Sequence, residues 1–161
     1  MSLEDFKENL QKKGTDLQGL GLRQPVGRGC GLEIEASPEQ VTDIARIARE
    51  SDLYLETVTA VHFSDGMQVV YFFNSFSDPA RMQVRVQLGT QESLPSISAV
   101  YDAALWHERE VFDLFGIRFE NHPDLRRLLL PEDADFHPLR KDFGRVHALR
   151  ASRDIHGNSE S

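Results

Sequence analysis

The chain has 161 residues, 40% apolar and 27% charged, enough to close the core of one domain and too few for two full ones. Its 26 carboxylates against 18 Lys and Arg give a formal charge of −8, which excludes a general nucleic-acid binder because phosphate contacts need cations. One cysteine, Cys30, excludes an internal disulfide and an iron–sulfur cluster held by this chain alone; no apolar run is long enough for a bilayer span, and the start, Met1-Ser2-Leu3-Glu4-Asp5-Phe6, lacks a signal-peptide pattern, so the expected compartment is the cytosol.

Leu3, Phe6 and Leu10 recur at helical spacing up to Gly14. Gly19, Gly21, Gly27, Gly29 and Gly31 then read as a flexible lead-in. Gly27 and Gly29 match two positions of a dinucleotide loop, but Leu32 stands at the third and no Gly-Lys-Ser/Thr follows. Leu32 to Ala36 alternates as a short strand. Ser37 as N-cap, Pro38 at the first helical position and Gln40 closing a capping box start a helix that runs to about Glu50, with Val41, Ile44, Ala45 and Ala48 on one face. Residues 53–63 alternate, with Leu53, Leu55, Thr57, Thr59, Val61 and Phe63 on one side. Ser64-Asp65-Gly66 turns into a second strand, Met67 to Phe76. Ser77-Asp78-Pro79 turns into a third, in which Met82, Val84, Val86 and Leu88 alternate with polar residues. Short turns make antiparallel neighbours, and helices set apart from a meander predict an α+β fold: a two-layer sandwich of a mostly antiparallel mixed sheet with helices on one side.

After Pro95 the pattern is helical from about Ile97 to Phe115, in one piece or two, with Gly116 as the C′ residue. Ile117 to Phe119 is extended. From Asn121 onward Pro123, Pro131 and Pro138 prevent any long periodic element. The predicted organisation is a flexible N-terminal helix and glycine-rich lead-in over 1–31, an α+β domain over 32–130, and an extended, partly disordered tail over 131–161. Phe136 and Phe143 predict that the tail docks on a neighbouring protein up to about residue 144, with Ala151 to Ser161 disordered.

The helix from Trp106 to Phe115 departs from ordinary amphipathicity. At about 100° per residue, Ala104, Val111 and Phe115 share a face with His107 and Glu108, while Arg109, Glu110 and Asp113 fall on the far side with Trp106. A carboxylate aimed at an apolar surface needs a partner, and Arg126, Arg127 or Arg140 can supply one. An exposed Trp among fixed charges has the composition of a protein-contact hot spot. Three readings compete. His107, Glu108, Glu110 and His122 could form an acid–base or metal site of a free-standing metal-dependent enzyme, although Val111 stands where a zinc-protease helix needs its second His. Glu108 with an Arg could pin the helix to the following loop. The same network could also present a surface to a partner.

The pattern Glu108-Arg109-Glu110, two residues, Asp113-Leu114-Phe115, six residues to His122, three to Arg126, then Leu128-Leu129, resembles the signature of the thirty-kilodalton subunit family of respiratory complex I, in bacteria the C subunit of NADH-quinone oxidoreductase. His137-Pro138-Leu139-Arg140-Lys141-Asp142-Phe143 and Val58-Thr59-Ala60-Val61-His62 also resemble segments of that family, and the resemblance covers roughly residues 32–144. It implies an α+β domain with a C-terminal extension over a neighbour. It further implies a non-catalytic peripheral-arm subunit of a proton-translocating oxidoreductase, on the cytoplasmic face of the bacterial inner membrane and attached to it only through the complex. The chain would bind no cofactor itself. NADH, FMN, iron–sulfur clusters and quinone would belong to other subunits, and the neighbours would be the forty-nine-kilodalton-type and cluster-bearing subunits. Related hydrogenase and formate hydrogenlyase complexes share the family, so the electron donor stays open. The resemblance favours a partner-facing role for Trp106, Glu108, Arg109, Glu110, Asp113, His122, Arg126 and Arg127, and for His137, Arg140, Lys141 and Phe143 in the tail.

Overall fold

The computed structural model describes residues 6, 8–10, 21–23, 31–76, 81–89 and 92–143. Its main sheet contains β1 (Gly21–Arg23), β2 (Leu32–Ala36), β3 (Tyr54–Phe63), β4 (Gly66–Asn74) and β5 (Met82–Leu88), in the order β1-β2-β5-β4-β3. β3, β4 and β5 form the expected antiparallel meander, β1 joins β2 antiparallel, and β2 lies parallel to β5 with Ile34 opposite Val84. The sheet is therefore mixed, with helices α1 (Val41–Glu50) and α2 (Ala104–Phe115) packed in the same core. A second, two-stranded parallel sheet pairs β6 (Ser93–Pro95) with β7 (Arg118–Glu120).

The element boundaries follow local chemistry. The Gln40 side chain accepts a 2.9 Å hydrogen bond from the Ser37 N–H, so the predicted capping box opens a turn of 3-10 helix, Pro38–Gln40, that leads into α1. α1 buries Val41, Ile44, Ala45, Ile47 and Ala48 along one stripe. The helix predicted from Ile97 begins in fact at Ala104. Residues 97–103 make turns, and the Tyr101 hydroxyl donates to the Leu53 carbonyl at 2.8 Å. Gly116 adopts φ 81° and ends α2 as the sequence predicts. The Ser77-Asp78-Pro79 turn and the tail beyond residue 143 lie outside the described residues, as do Cys30 and the Gly27–Gly29 pair.

One strand corrects the sequence reading. The alternation of residues 53–63 places Val61 and Phe63 on the buried face, yet they are about two-fifths exposed while Val58 and Ala60 are buried. The cause is a bulge: Leu55 faces Phe73 and Thr57 faces Phe72, so Glu56 is an extra residue with no opposite number. Because side chains alternate with period two, one inserted residue exchanges the faces for everything after it. Glu56 itself is held by an ion pair with Arg81, whose guanidinium also lies 4.6 Å from the centre of the Phe72 ring.

Part of the N-terminal stretch, expected as a flexible helix and a glycine-rich lead-in, packs on the domain. Phe6 and Leu10 are buried in the core, Asn9 donates to Ser51 Oγ at 3.1 Å, and β1 adds a strand to the sheet. Phe6→Ala is expected to cost about 3–5 kcal/mol, the range for an aromatic removed from a packed core. Urea unfolding measures it, and a loss under about 1 kcal/mol would show that the helical turn does not dock.

Candidate functional site

α2 carries the charged residues singled out by the sequence, and the structure sorts them onto three sides. Ala104, Glu108, Val111 and Phe115 face the core. Arg109 and Asp113, one turn apart, face the irregular segment 121–143 that runs along the helix. Trp106 and Glu110 are left in solvent. This corrects the expectation that Arg109 and Asp113 share the exposed side: Arg109 is buried and Asp113 has no accessible surface. A helical wheel treats the far face as solvent, and it has no way to see that a loop without periodicity will cover it.

Glu108 does face the core, but its partner is not an arginine. Its carboxylate accepts from the Ser96 hydroxyl at 2.5 Å and from the Ile97 N–H at 2.8 Å, which pins the segment between β6 and α2. Burial pushes its pKa up to about 7 against the bonds from Ser96 and Ile97, which pull it down. His122 Nε2 lies 3.9 Å away. The Asp124 N–H donates to His122 Nδ1 at 3.0 Å, so Nε2 carries the ring proton and donates to the Leu105 carbonyl at 3.1 Å. Both ring nitrogens are thereby engaged by backbone. Tyr71 is buried near this carboxylate, and burial together with the Glu108 charge raises its hydroxyl well above the usual tyrosine range.

Arg109 and Asp113 form a two-residue clamp on backbone. Arg109 donates to the carbonyls of Arg126 (3.3 Å) and Arg127 (2.9 Å). Asp113 Oδ2 accepts from the N–H groups of Leu128 (3.1 Å), Leu129 (2.6 Å) and Leu130 (2.9 Å). Its Oδ1 accepts from Arg127 at 3.0 Å, and the other arm of that guanidinium reaches the Ala134 carbonyl. Burial alone would raise the Asp113 pKa, but the bonds from Leu130, Leu129, Arg127 and Leu128 outweigh it and hold the carboxyl below its usual value.

The tail completes the helix end. The last carbonyls of an α-helix have no partner within it. Here Phe112 C=O accepts from the Gly116 N–H, Asp113 C=O from Arg127 and from the His137 ring, Leu114 C=O from the Leu139 N–H, and Phe115 C=O from Arg140. The Arg127 and Arg140 cations also suit the negative end of the helix dipole. Arg140 grips Glu92 through two 2.8 Å bonds, and the Lys141 N–H reaches His62 Nδ1 at 3.0 Å. Residues 131–143, expected to be an extended tail that docks on a neighbour, are without helix or strand runs and lie back along α2 of the same chain, which offers unpaired carbonyls. The rings of Phe136 and Phe143 meet each other at 5.3 Å.

The proposed enzymatic set does not converge. Glu108 and His122 approach one another, whereas Glu110 points outward on another face of the helix and His107 is half-buried between those faces. Among the described residues no group of three or more His, Cys, Asp and Glu is arranged to hold a metal ion. Arg126 pairs with Asp124 in solvent instead of with Glu108. Ser96 and Glu92, which hold Glu108 and Arg140, escape sequence reading. The sequence marks Leu129 only as part of the signature spacing, and its position, nearly two-thirds exposed on the clamped loop beside Asp113, comes from the structure.

Residues 34–147 match the family described as the 30-kDa subunit of the respiratory-chain NADH dehydrogenase. A Geobacter sulfurreducens relative, named as the C subunit of NADH-quinone oxidoreductase, is 38% identical over 119 residues, covering 70% of this chain and 74% of that protein. A Roseiflexus relative of the same name is 38% identical over 119 residues, covering 69% and 68%. Among solved structures, the trypsin-resistant fragment (1–134) of Nqo5 superposes with a TM-score of 0.60 at 27% identity, over 78% of this chain and all of that one. A chain of an archaeal membrane-bound sulfane sulfur reductase shares the fold, with a TM-score of 0.76 at 23% identity over 99% of this chain and 95% of that one.

Two variants separate the roles of the acids. Glu108 has a raised pKa, so the folded state holds its proton over a range where the unfolded chain has lost it. Its contribution to stability is then greatest below about pH 4.5 and falls as pH rises to about 7, by roughly 3 kcal/mol in all. Glu108→Gln is expected to flatten that slope, as urea unfolding between pH 5 and pH 8 would reveal; a slope unchanged in the variant would assign it elsewhere. Asp113→Ala strands three N–H groups and a guanidinium. It is expected to cost about 3–5 kcal/mol and to speed hydrogen exchange at Leu128, Leu129 and Leu130 before the amides of β5. Unaltered exchange there would mean that the clamp does not hold the loop.

Proposed function

The chain belongs to the family of the 30-kDa subunit of complex I, the respiratory-chain NADH dehydrogenase, and from that footing we propose that it is a scaffold of the peripheral arm with no catalytic residue of its own. In this reading electrons pass from NADH through FMN and iron–sulfur clusters to quinone on other subunits. This chain packs against the forty-nine-kilodalton-type subunit and the cluster-bearing subunits on the cytoplasmic face of the membrane. No helix among the described residues is long and apolar enough to cross a bilayer, so attachment through the other subunits is sufficient.

One observation carries the proposal. The three charged signature residues that α2 buries, Glu108, Arg109 and Asp113, are engaged chiefly by the backbone of their own chain. A nucleophile or general base needs a free lone pair directed at a substrate. These groups are instead arranged to hold loops still, and the clamp leaves two large apolar side chains in solvent, Trp106 at 61% and Leu129 at 64% exposure. Trp106 is further fixed by the Arg109 guanidinium 5.2 Å from its ring centre. Rigid, exposed aromatic and aliphatic anchors beside polar residues are the composition of an interface centre.

Trp106→Ala combined with Leu129→Ala is expected to cut the amount of assembled complex, and with it membrane NADH–quinone reductase activity, at least about tenfold. The unfolding free energy of the isolated chain is expected to change by no more than about 1 kcal/mol. Normal assembly and turnover in the double variant would remove these anchors from the interface. A parent chain that never co-purifies with a flavin and iron–sulfur assembly would remove the subunit role itself.

A further inference from the structure

Asp102, Trp106, Glu110 and Asp113 follow one another along one side of α2 and the turn before it, at three- and four-residue steps. Asp113 is covered because Leu128, Leu129 and Leu130 donate to it, and the exposed Leu129 side chain therefore stands at the C-terminal end of the same stripe. Leu129 leads into Glu132, Asp133 and Asp135, all exposed, in a segment held by the Ala134 N–H on the Pro131 carbonyl and by Arg127 on the Ala134 carbonyl. Five acids thus border the two apolar anchors: Asp102, Glu110, Glu132, Asp133 and Asp135. Among the described residues none of the five side chains takes part in an ion pair or hydrogen bond.

Three of the four arginines of the region are committed, and the fourth, Arg118, stands exposed on β7. Arg127 is bound to Asp113, Arg126 to Asp124, and Arg109 to two carbonyls. Between Asp102 and Asp135 the chain carries nine carboxylates against four arginines. Unpaired like charges beside one another repel, and among the described residues no cation pairs with them.

We propose that this stripe docks a basic surface of a neighbouring protein, one that offers an apolar pocket to Trp106 and Leu129 and Lys or Arg side chains to the carboxylates around them. The inference rests on reading the chain as a subunit of a larger complex and names the chemistry of the subunit that meets α2. Complementary rim charges accelerate encounter and fix register, while the buried anchors set how long the contact lasts. The rim acids should therefore govern the rate of incorporation, and Trp106 and Leu129 its permanence.

The test adds the purified chain to membranes from a strain of its source that lacks it and follows incorporation at about 50 mM and about 300 mM KCl, where screening differs strongly. The parent is expected to incorporate about tenfold more slowly at the higher salt. A variant with Glu110→Gln, Glu132→Gln, Asp133→Asn and Asp135→Asn is expected to match the high-salt rate at both concentrations, and Glu110→Lys with Glu132→Lys to be slower still. The parent's unfolding midpoint should be kept by the neutral variant, and Glu132→Gln with Asp133→Asn gives a smaller effect of the same sign if the fuller variant does not fold. Wild-type rates and salt dependence in folded neutral variants, or faster incorporation, would overturn the basic partner while leaving the subunit reading in place. A parent that does not incorporate at all would overturn the subunit reading, and the partner with it.

Discussion

Backbone that is neither helix nor strand must find hydrogen-bond partners elsewhere, and in the C-terminal third of this chain α2 provides them. Its side chains supply an acceptor for the Ile97 N–H, donors for the Arg126 and Arg127 carbonyls, and an acceptor for three successive N–H groups at Leu128 to Leu130. Its last carbonyls take the tail's N–H groups and cations in return. An unpaired buried amide costs about 1–3 kcal/mol. The helix and the loop are thus stable in this arrangement only together.

Two consequences follow for the site. The first is rigidity without regular structure. The loop that displays Leu129 is fixed by charge-assisted bonds to Asp113, and Trp106 is fixed by Arg109, so a partner would find both side chains already ordered and would bear less of the entropic cost of binding. Steric fit reinforces this at the helix end. A Cβ on Gly116 would sit 2.8 Å from the His137 ring, so the left-handed glycine both ends α2 and makes room for the side chain that bonds to the Asp113 carbonyl.

The second is a division of charge. Some charged residues beside irregular backbone pair with one another, as at Asp113 with Arg127 and at Arg140 with Glu92. Asp102, Glu110, Glu132, Asp133 and Asp135 are left outside that pairing. The family signature therefore mixes residues that shape the domain with residues that face outward, although they stand side by side in the chain: Arg109 is buried and Glu110 beside it is exposed.

The order of elements from β2 to β5, the antiparallel meander, the Ser37–Gln40 helix start, the Gly116 stop and the inward aim of Glu108 were all legible in the amino-acid order, because each depends on local periodicity or on a residue with one conformational role. Family membership was legible as well, since the spacing from Glu108 to Arg126 is itself a sequence property. Tertiary structure alone decided the rest. The bulge at Glu56 exchanged the faces of β3 through one unpaired residue. The far side of α2 became buried because an aperiodic segment lies on it. Glu108 and Asp113 bonded to N–H groups that nearly every residue possesses. A side chain that recognises another side chain leaves a trace in residue identity, but one that recognises remote backbone leaves none, and the fold must bring the two together before the partnership exists.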